Sequence, residues 1–137
     1  MFSNILVGYD GSKPADRAFR AALDLARAFS GRVRVVSVIA LPSIQPDLGC
    51  ELAIETERDW ATNGLADLAR SASGTVPVET DIGYGNPADV LLETAAAHGC
   101  DHIVVGRTGK GAVQRLLVGS VSSALAHRAS VSLTLVP

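Results

Sequence analysis

The stretch NILVGYDGSKPADRAFRAALDLARAFSGRVRVVSVIAL, residues 4–41, contains a strand, a helix and a second strand in that order. NILVGYD and RVRVVSVIAL are short, apolar and rich in β-branched residues, whereas the apolar residues between them recur at helical spacing. Ser12 is suited to cap the helix, Pro14 fits its first turn, and Gly31 suits its stop. Two strands joined by a helical crossover lie parallel, so this stretch predicts an α/β fold.

The rest of the chain repeats the alternation of strands and helices. A loop, PSIQPDLGC, precedes a helix predicted from about Glu51 to Ser71, and Pro77 near the start of VPVETDIG is typical of an edge strand. NPADVLLETAAAHG predicts a helix with Asn86 as cap, Pro87 at its first position and Gly99 at its stop. DHIVVG, SVSSALAHRAS and VSLTLVP complete the order βαβαβαβαβ, which predicts a parallel sheet with helices on both faces. The inner face of the second helix is expected to comprise Ile54, Ala61, Leu65 and Leu68.

Composition limits the classes of protein that the chain fits. Residues 1–137 are expected to form one domain, because 47% of them are apolar and 19% charged. The formal net charge of −2 argues against nucleic-acid binding. No apolar run approaches the ~20 residues that span a membrane, and the first residues do not resemble a signal peptide. Cys50 and Cys100 fit neither a disulfide scaffold nor a zinc site, so we expect reduced thiols in a soluble, cytoplasmic protein.

The candidate ligand site follows from the expected topology. In an open α/β sheet, ligands bind at the carboxyl ends of the strands where the strand order reverses. If the first strand is central, the loops after strands one and four meet there; these are YDGS, residues 9–12, and GRTGKG, residues 106–111. The sequence therefore predicts one crevice between these two loops.

The residues from 106 to 123 suit an anionic ligand in that crevice. Gly106 and Gly109 lack side chains that would keep a backbone away from phosphates, and GSVSS at 119–123 opens a helix whose first N–H groups are unpaired. Ser120 and Ser122 add hydroxyl donors, and Arg107, Lys110 and Arg115 add positive charge. The alternative for such a stretch is a surface loop with capping serines.

The spacing Gly106-x2-Gly109-x9-Gly119-Ser120 resembles the nucleotide-binding signature of the universal stress protein family. ILVGYDGS and GNPADVLLETAAAHGCDHIVVGRTG are similar to other parts of the same family, so the resemblance covers nearly the whole chain. It implies a five-stranded parallel sheet in the order 3-2-1-4-5, Rossmann-like and related to the adenine nucleotide alpha hydrolases. For function, it implies a nucleotide-dependent regulator of the stress response that binds ATP or a related adenine nucleotide, with or without Mg²⁺.

The same resemblance implies the residues of the nucleotide site. Asp10 is expected on the ribose or adenine side, and Val38 is expected to meet adenine through its backbone. The full expected set is Tyr9, Asp10, Val38, Gly106, Arg107, Thr108, Gly109, Gly119, Ser120, Val121 and Ser122.

Two other functions stay open from the sequence. One is an interaction module of the same fold with an empty pocket; the other is an adenylate-using enzyme, although YDGSKPAD lacks the Ser-Gly-Gly type of pyrophosphate loop. No serine has a histidine or carboxylate at a recognisable catalytic spacing, so at most slow ATP hydrolysis is expected. His98, His102 and His127 have no metal-ligand spacing, and no catalytic or metal-binding residue is predicted.

The composition of the last strand predicts that the chain pairs with another chain. Val131 to Val136 carry apolar side chains without a charge, at an expected edge of the sheet. Such edges pair readily with another chain. The family resemblance points the same way, to a homodimer joined through this strand.

Overall fold

The structure, a computed structural model, describes residues 1–41, 48–72, 74, 76–108 and 119–137. The predicted loop over 42–47 lies outside the described residues, as do Gly109, Lys110, Gly111 and Arg115. The elements are β1 (Asn4–Gly8), α1 (Lys13–Phe29), β2 (Arg32–Ile39), α2 (Leu48–Ser71), β3 (Val78–Tyr84), α3 (Pro87–Ala97), β4 (His102–Gly106), α4 (Ser120–Arg128) and β5 (Ser132–Val136).

The strands form one five-stranded parallel sheet in the order β3-β2-β1-β4-β5. Ile5 of β1 is in register with Val33 of β2 on one side and with His102 of β4 on the other. The predicted topology is confirmed, including the edge position of the strand that follows Pro77. The order reverses between β1 and β4, so their carboxyl ends define the crevice.

The core has two layers, one on each face of the sheet. Alternate residues of a strand point to opposite faces. Ile5 and Val7 therefore pack with Phe19 of α1 and Leu65 of α2, whereas Leu6 packs on the other face. The second layer consists of side chains from β1, β2, β4, α3 and α4, with Leu6, Val36, Leu91, Ile103, Val105 and Leu125 among its members.

The start of α1 confirms its predicted cap, but its end differs from the prediction. The Ser12 hydroxyl accepts a hydrogen bond from the N–H of Ala15 at 3.2 Å. The helix ends at Phe29, and Ser30, not Gly31, adopts the left-handed conformation with φ of 54°. Gly31 serves another purpose, because a Cβ there would lie 2.6 Å from the carbonyl oxygen of Phe2.

The other predicted helix ends are largely confirmed. The Asn86 side chain accepts from the N–H of Asp89 at 3.1 Å, Pro87 begins α3, and Gly99 follows its end with φ of 64°. In contrast, α2 begins at Leu48, so the predicted start at Glu51 and the predicted loop over 48–50 were wrong. Within the described ranges, no helix is long and apolar enough to cross a membrane.

Candidate nucleotide site

A pocket of about 440 Å³ lies at the carboxyl ends of β1 and β4, where the strand order reverses. This is the position that the sequence predicted for a ligand. Three helices begin at the pocket: Ser12 precedes α1, Pro87 begins α3, and Gly119 precedes α4. A helix start carries partial positive charge, so three of them together favour an anionic ligand.

Most of the predicted site residues come together around this pocket. Arg107 is not among the lining residues, and Gly109 lies outside the described part of the chain. The remaining predicted residues all line the pocket: Tyr9, Asp10, Val38, Gly106, Thr108, Gly119, Ser120, Val121 and Ser122.

Arg107 contributes to the site through its backbone. Its N–H donates to the carbonyl oxygen of Val136 at 2.7 Å, and its carbonyl accepts from the N–H of Gly119 at 2.9 Å. These two bonds hold the residue after β4 between β5 and the start of α4. A contact of its guanidinium with a bound nucleotide stays a prediction.

The start of α4 differs from the starts of α1 and α3. Ser12 and Asn86 cap their helices through side-chain hydrogen bonds, whereas Gly119 has no side chain to do so. The first N–H groups of a helix have no partner within it. Among the described residues, therefore, the first turn of α4, beginning at Ser120, presents uncapped N–H groups at the pocket wall, which is the arrangement that binds phosphate elsewhere.

Ser122 does not use its hydroxyl as the sequence predicted. The hydroxyl is buried and donates to the carbonyl oxygen of Gly106 at 2.7 Å. Its proton is therefore committed to the backbone of β4 rather than offered to a phosphate. Ser120, by contrast, is exposed at the pocket and keeps the predicted role open.

Gly106 is also required by packing within the protein, apart from the predicted approach to phosphates, which stays a prediction. A Cβ on Gly106 would lie 2.8 Å from the Cβ of Pro14 and 3.0 Å from its carbonyl carbon. The close approach is thus to the first turn of α1, within the protein itself. It brings the end of β4 against the first turn of α1.

Tyr9 forms a fixed part of the pocket wall. Its hydroxyl donates to Oδ1 of Asp16 at 2.7 Å, and its carbonyl accepts from the Ser37 hydroxyl at 2.9 Å. Burial first, and then the bond to the Asp16 carboxylate, raises the pKa of Tyr9 to about 12. The raised pKa keeps the phenol neutral even in mildly alkaline solution, so the ring adds no negative charge beside a ligand.

Asp10 follows Tyr9 in the same loop. Its Oδ1 accepts from the N–H of Ser12 at 2.9 Å, which closes a turn typical of Asp before a helix. This bond gives Asp10 a structural role as a cap of the loop that leads into α1. The carboxyl group is exposed at the pocket, so the structural role and a contact with a ligand hydroxyl are compatible.

The backbone of Val38 faces the pocket. The carbonyl of Val36 accepts from the N–H of Tyr9 at 2.9 Å, so Val36 directs its backbone groups toward β1. Alternate residues of a strand do the same, and Val38 therefore points its N–H and carbonyl to that side as well. Since β1 ends at Gly8, in register with Val36, these groups reach the pocket instead of another strand.

Sequence reasoning missed several lining residues. Most are apolar strand ends or helix starts whose place at the pocket depends on packing between distant elements. Pro87 could have been found, because a third helix start at the same edge of the sheet follows from the predicted topology. The missed residues are Gly8, Ala15, Val36, Pro87, Leu91 and Val105, whereas Ser12 lies in the loop 9–12 that was predicted to border the crevice.

A second pocket of about 530 Å³ adjoins the first on the side of α2. Tyr9, Asp10 and Val38 border both pockets, whereas Trp60 borders only the second. Gly119 borders only the first, so a substitution there changes the first pocket by itself. Within the described ranges, no group of three or more His, Cys, Asp and Glu side chains could hold a metal ion.

Comparisons with known proteins agree with this architecture. The model of the universal stress protein family matches residues 1–137. A putative universal stress protein of Staphylococcus haemolyticus is 31% identical over 133 residues, which cover 93% of this chain and 80% of that protein. The chain therefore belongs to the universal stress protein family.

Solved structures show the same fold. Universal stress protein UspA of Lactobacillus plantarum superposes with a TM-score of 0.89 at 24% identity, covering 99% of this chain and 98% of that one. A universal stress protein crystallised in complex with cAMP gives a TM-score of 0.67 at 26% identity, with 98% and 97% coverage.

Proposed function

We propose that this protein binds an adenine nucleotide, with ATP as the expected ligand, in the pocket between β1, β4 and α4. The observation that carries the proposal is the uncapped start of α4 at a pocket where two further helices begin. The volume of about 440 Å³ lies within the range of small-molecule sites. The complex of a related family member with cAMP supports the same class of ligand.

The phosphates are expected at the first turn of α4. Ser120 and Val121 offer backbone N–H groups there, and the exposed Ser120 hydroxyl adds a donor. Mg²⁺ would enter with the phosphates, since proteins hold this ion through one or two carboxylates together with phosphate oxygens. Asp10 is the carboxylate among the residues that line this pocket.

The adenine is expected beyond the end of β1. The Val38 carbonyl can accept from the exocyclic N6 amine, and guanine carries an acceptor oxygen at that position. Asp10 can accept from a ribose hydroxyl. These contacts predict that adenine nucleotides bind more tightly than guanine nucleotides.

Nucleotide binding is proposed to make the protein a sensor or regulator of the stress response, acting in the cytoplasm. Occupancy of the pocket acts on the start of α4 and, through Arg107, on β5, because Arg107 bonds to both Gly119 and Val136. The bound nucleotide can in this way reach the edge of the sheet. Any ATP hydrolysis is expected to be slow.

A homodimer through β5 is part of the proposal. Ser132–Val136 contain no charged residue and occupy one edge of the sheet. The other edge, β3, is preceded by Pro77 and carries Glu79 and Asp81, which form ion pairs with Arg34. Charged side chains and proline protect edges from pairing, so β5 is the edge suited to a second copy.

Equilibrium dialysis with ATP and Mg²⁺ tests the nucleotide proposal, with AMP, cAMP and GTP as comparison ligands. Gly119→Val places a branched side chain at the pocket wall, and its backbone (φ −64°, ψ 161°) is open to any residue, so the variant should fold and lose ATP binding. Ala97→Val, at the far end of α3, is the matched control and should bind as the parent does. No binding by the parent at millimolar ATP would instead favour an interaction module with an empty pocket.

A further inference from the structure

A buried histidine connects three segments at the amino-terminal ends of the strands, which is the end of the sheet opposite the pocket. His102 begins β4 and is only 4% exposed, whereas the pocket lies at the other end of that strand, at Gly106. Its Nε2 lies 2.7 Å from the hydroxyl of Thr134 on β5. The ring of Phe2 packs against the imidazole edge-on, with the ring centres 4.5 Å apart. The imidazole thus connects β4 to both β5 and the amino-terminal segment.

The second ring nitrogen of His102 has no such contact. Nδ1 is buried and has no hydrogen-bond partner among the described residues. A neutral imidazole carries one N–H and one lone pair, so the Thr134 hydroxyl can satisfy the N–H while Nδ1 keeps the lone pair. Protonation would add a second N–H, at Nδ1, where nothing described accepts it. A buried donor without an acceptor is costly, and a buried charge more so.

The charged groups around the ring offset the cost of protonating His102 only in part. β1 and β5 contain no charged side chain, and the residues of α1 that pack on the sheet are apolar. Lys13, Arg17, Arg20, Asp24 and Arg27 of α1 are exposed, and Asp16 bonds to Tyr9.

The amino-terminal segment contributes the ammonium group of Met1, and the residue before β4 is Asp101. The Asp101 carboxylate accepts from the N–H groups of Ser3 and Asn4 and from the Ser3 hydroxyl. Burial lowers the pKa of His102, and Asp101 opposes that shift only in part.

We propose that His102 is an acid-operated latch that holds β5 and the amino-terminal segment against β4 only while its ring is neutral. A protonated ring needs water at Nδ1, and water reaches it only if Phe2 or β5 moves away. The sign follows from linkage: a histidine with a lowered folded pKa adds full stability above the unfolded pKa of about 6.5. That stability is lost as the pH falls from there toward the folded pKa. The inference does not depend on nucleotide binding.

Amide hydrogen exchange of Leu133, Thr134 and Leu135 tests the latch. After correction for intrinsic rates, opening of β5 in the parent should rise roughly tenfold for each pH unit below about 6.5, until the folded pKa is reached. His102→Gln keeps a donor for Thr134 without titrating and should abolish this rise. His98→Gln changes an exposed histidine directly after α3 and should keep this rise, as the matched control.

Two results would overturn the proposal. One is an equal acid-induced opening in the parent and in His102→Gln. The other is an NMR titration in which the His102 signal, assigned by elimination with His98→Gln and His127→Gln, shows a pKa at or above about 6.5. The titration uses the parent fold, so it decides the matter even if His102→Gln does not fold.

Discussion

The hydroxyl of Ser122 donates to the carbonyl oxygen of Gly106 across 2.7 Å, which fastens the first turn of α4 to the end of β4. The two residues are 16 positions apart, and both line the pocket. The bond therefore sets the distance between the two walls that are proposed to enclose the phosphates.

Ser122→Ala should separate the structural role of this hydroxyl from a binding role. It leaves the Gly106 carbonyl without its donor, so we expect a loss of about 1–3 kcal/mol in the free energy of unfolding, measured with urea. Ser120→Ala should leave stability within about 0.5 kcal/mol, because Ser120 is exposed, and should instead weaken ATP binding. Equal stability of the two variants would contradict this division.

Gly106→Ala should destabilise the protein through a contact within it. The added Cβ would meet Pro14 at 2.8 Å, and overpacking of this kind typically costs about 1–3 kcal/mol. Gly64→Ala is the control: Gly64 lies in α2 with nothing within 4 Å of the added atom, so alanine should stabilise by about 1 kcal/mol. Thermal unfolding of both variants shows whether each substitution raises or lowers stability. Stabilisation by Gly106→Ala would exclude the proposed contact with Pro14.

Tyr9 should titrate well above an ordinary tyrosine. The chain has two tyrosines, so in Tyr84→Phe the ultraviolet absorbance of tyrosinate reports Tyr9 alone, with a midpoint near 12. Because the folded pKa is raised, the stabilisation is complete below the unfolded value of about 10 and is lost as the pH rises toward the folded one. Asp16→Asn should lower the midpoint only partly, since burial is the larger cause. A midpoint near 10 in the folded parent would refute the assignment.

Leu135→Lys should shift the proposed dimer toward monomer. A lysine on β5 places a charge at the edge that is proposed to pair. Sedimentation should show a smaller species, whereas ATP binding should persist, because the pocket lies at the strand ends. Glu79→Lys, on the opposite edge, is the control and should not change the sedimentation of the dimer. A parent that is monomeric at tens of micromolar would show that the edge argument is wrong.

Residues that cap helices predicted the starts of α1 and α3 correctly, because capping depends only on neighbouring residues. Asn86 followed by Pro87 marked the start of α3 correctly, and Ser12 marked that of α1. The end of α1 was misplaced, because Gly31 suggested a left-handed stop while Ser30 adopts it. The glycine is needed for the approach of the Phe2 carbonyl, which no neighbouring residue reveals.

The sequence predicted where the pocket lies, but not the contacts that its residues make with one another. Strand order and the spacing of Gly106, Gly119 and Ser120 were enough to place the pocket. The partner of the Ser122 hydroxyl and the contact of Gly106 with Pro14 depend on how α4, β4 and α1 pack together. Such contacts between distant segments are not encoded in the spacing of a motif.

The direction of β5 determines where two pockets would open in a pair of chains. A two-fold axis that joins identical edge strands sets them antiparallel, whereas β5 runs parallel to β4 within its own sheet. The carboxyl ends of the two sheets then face opposite ways, and so do the two candidate nucleotide sites. A partner that recognises the nucleotide-bound end would meet one site at a time, so each dimer could hold two such partners, one at either pole.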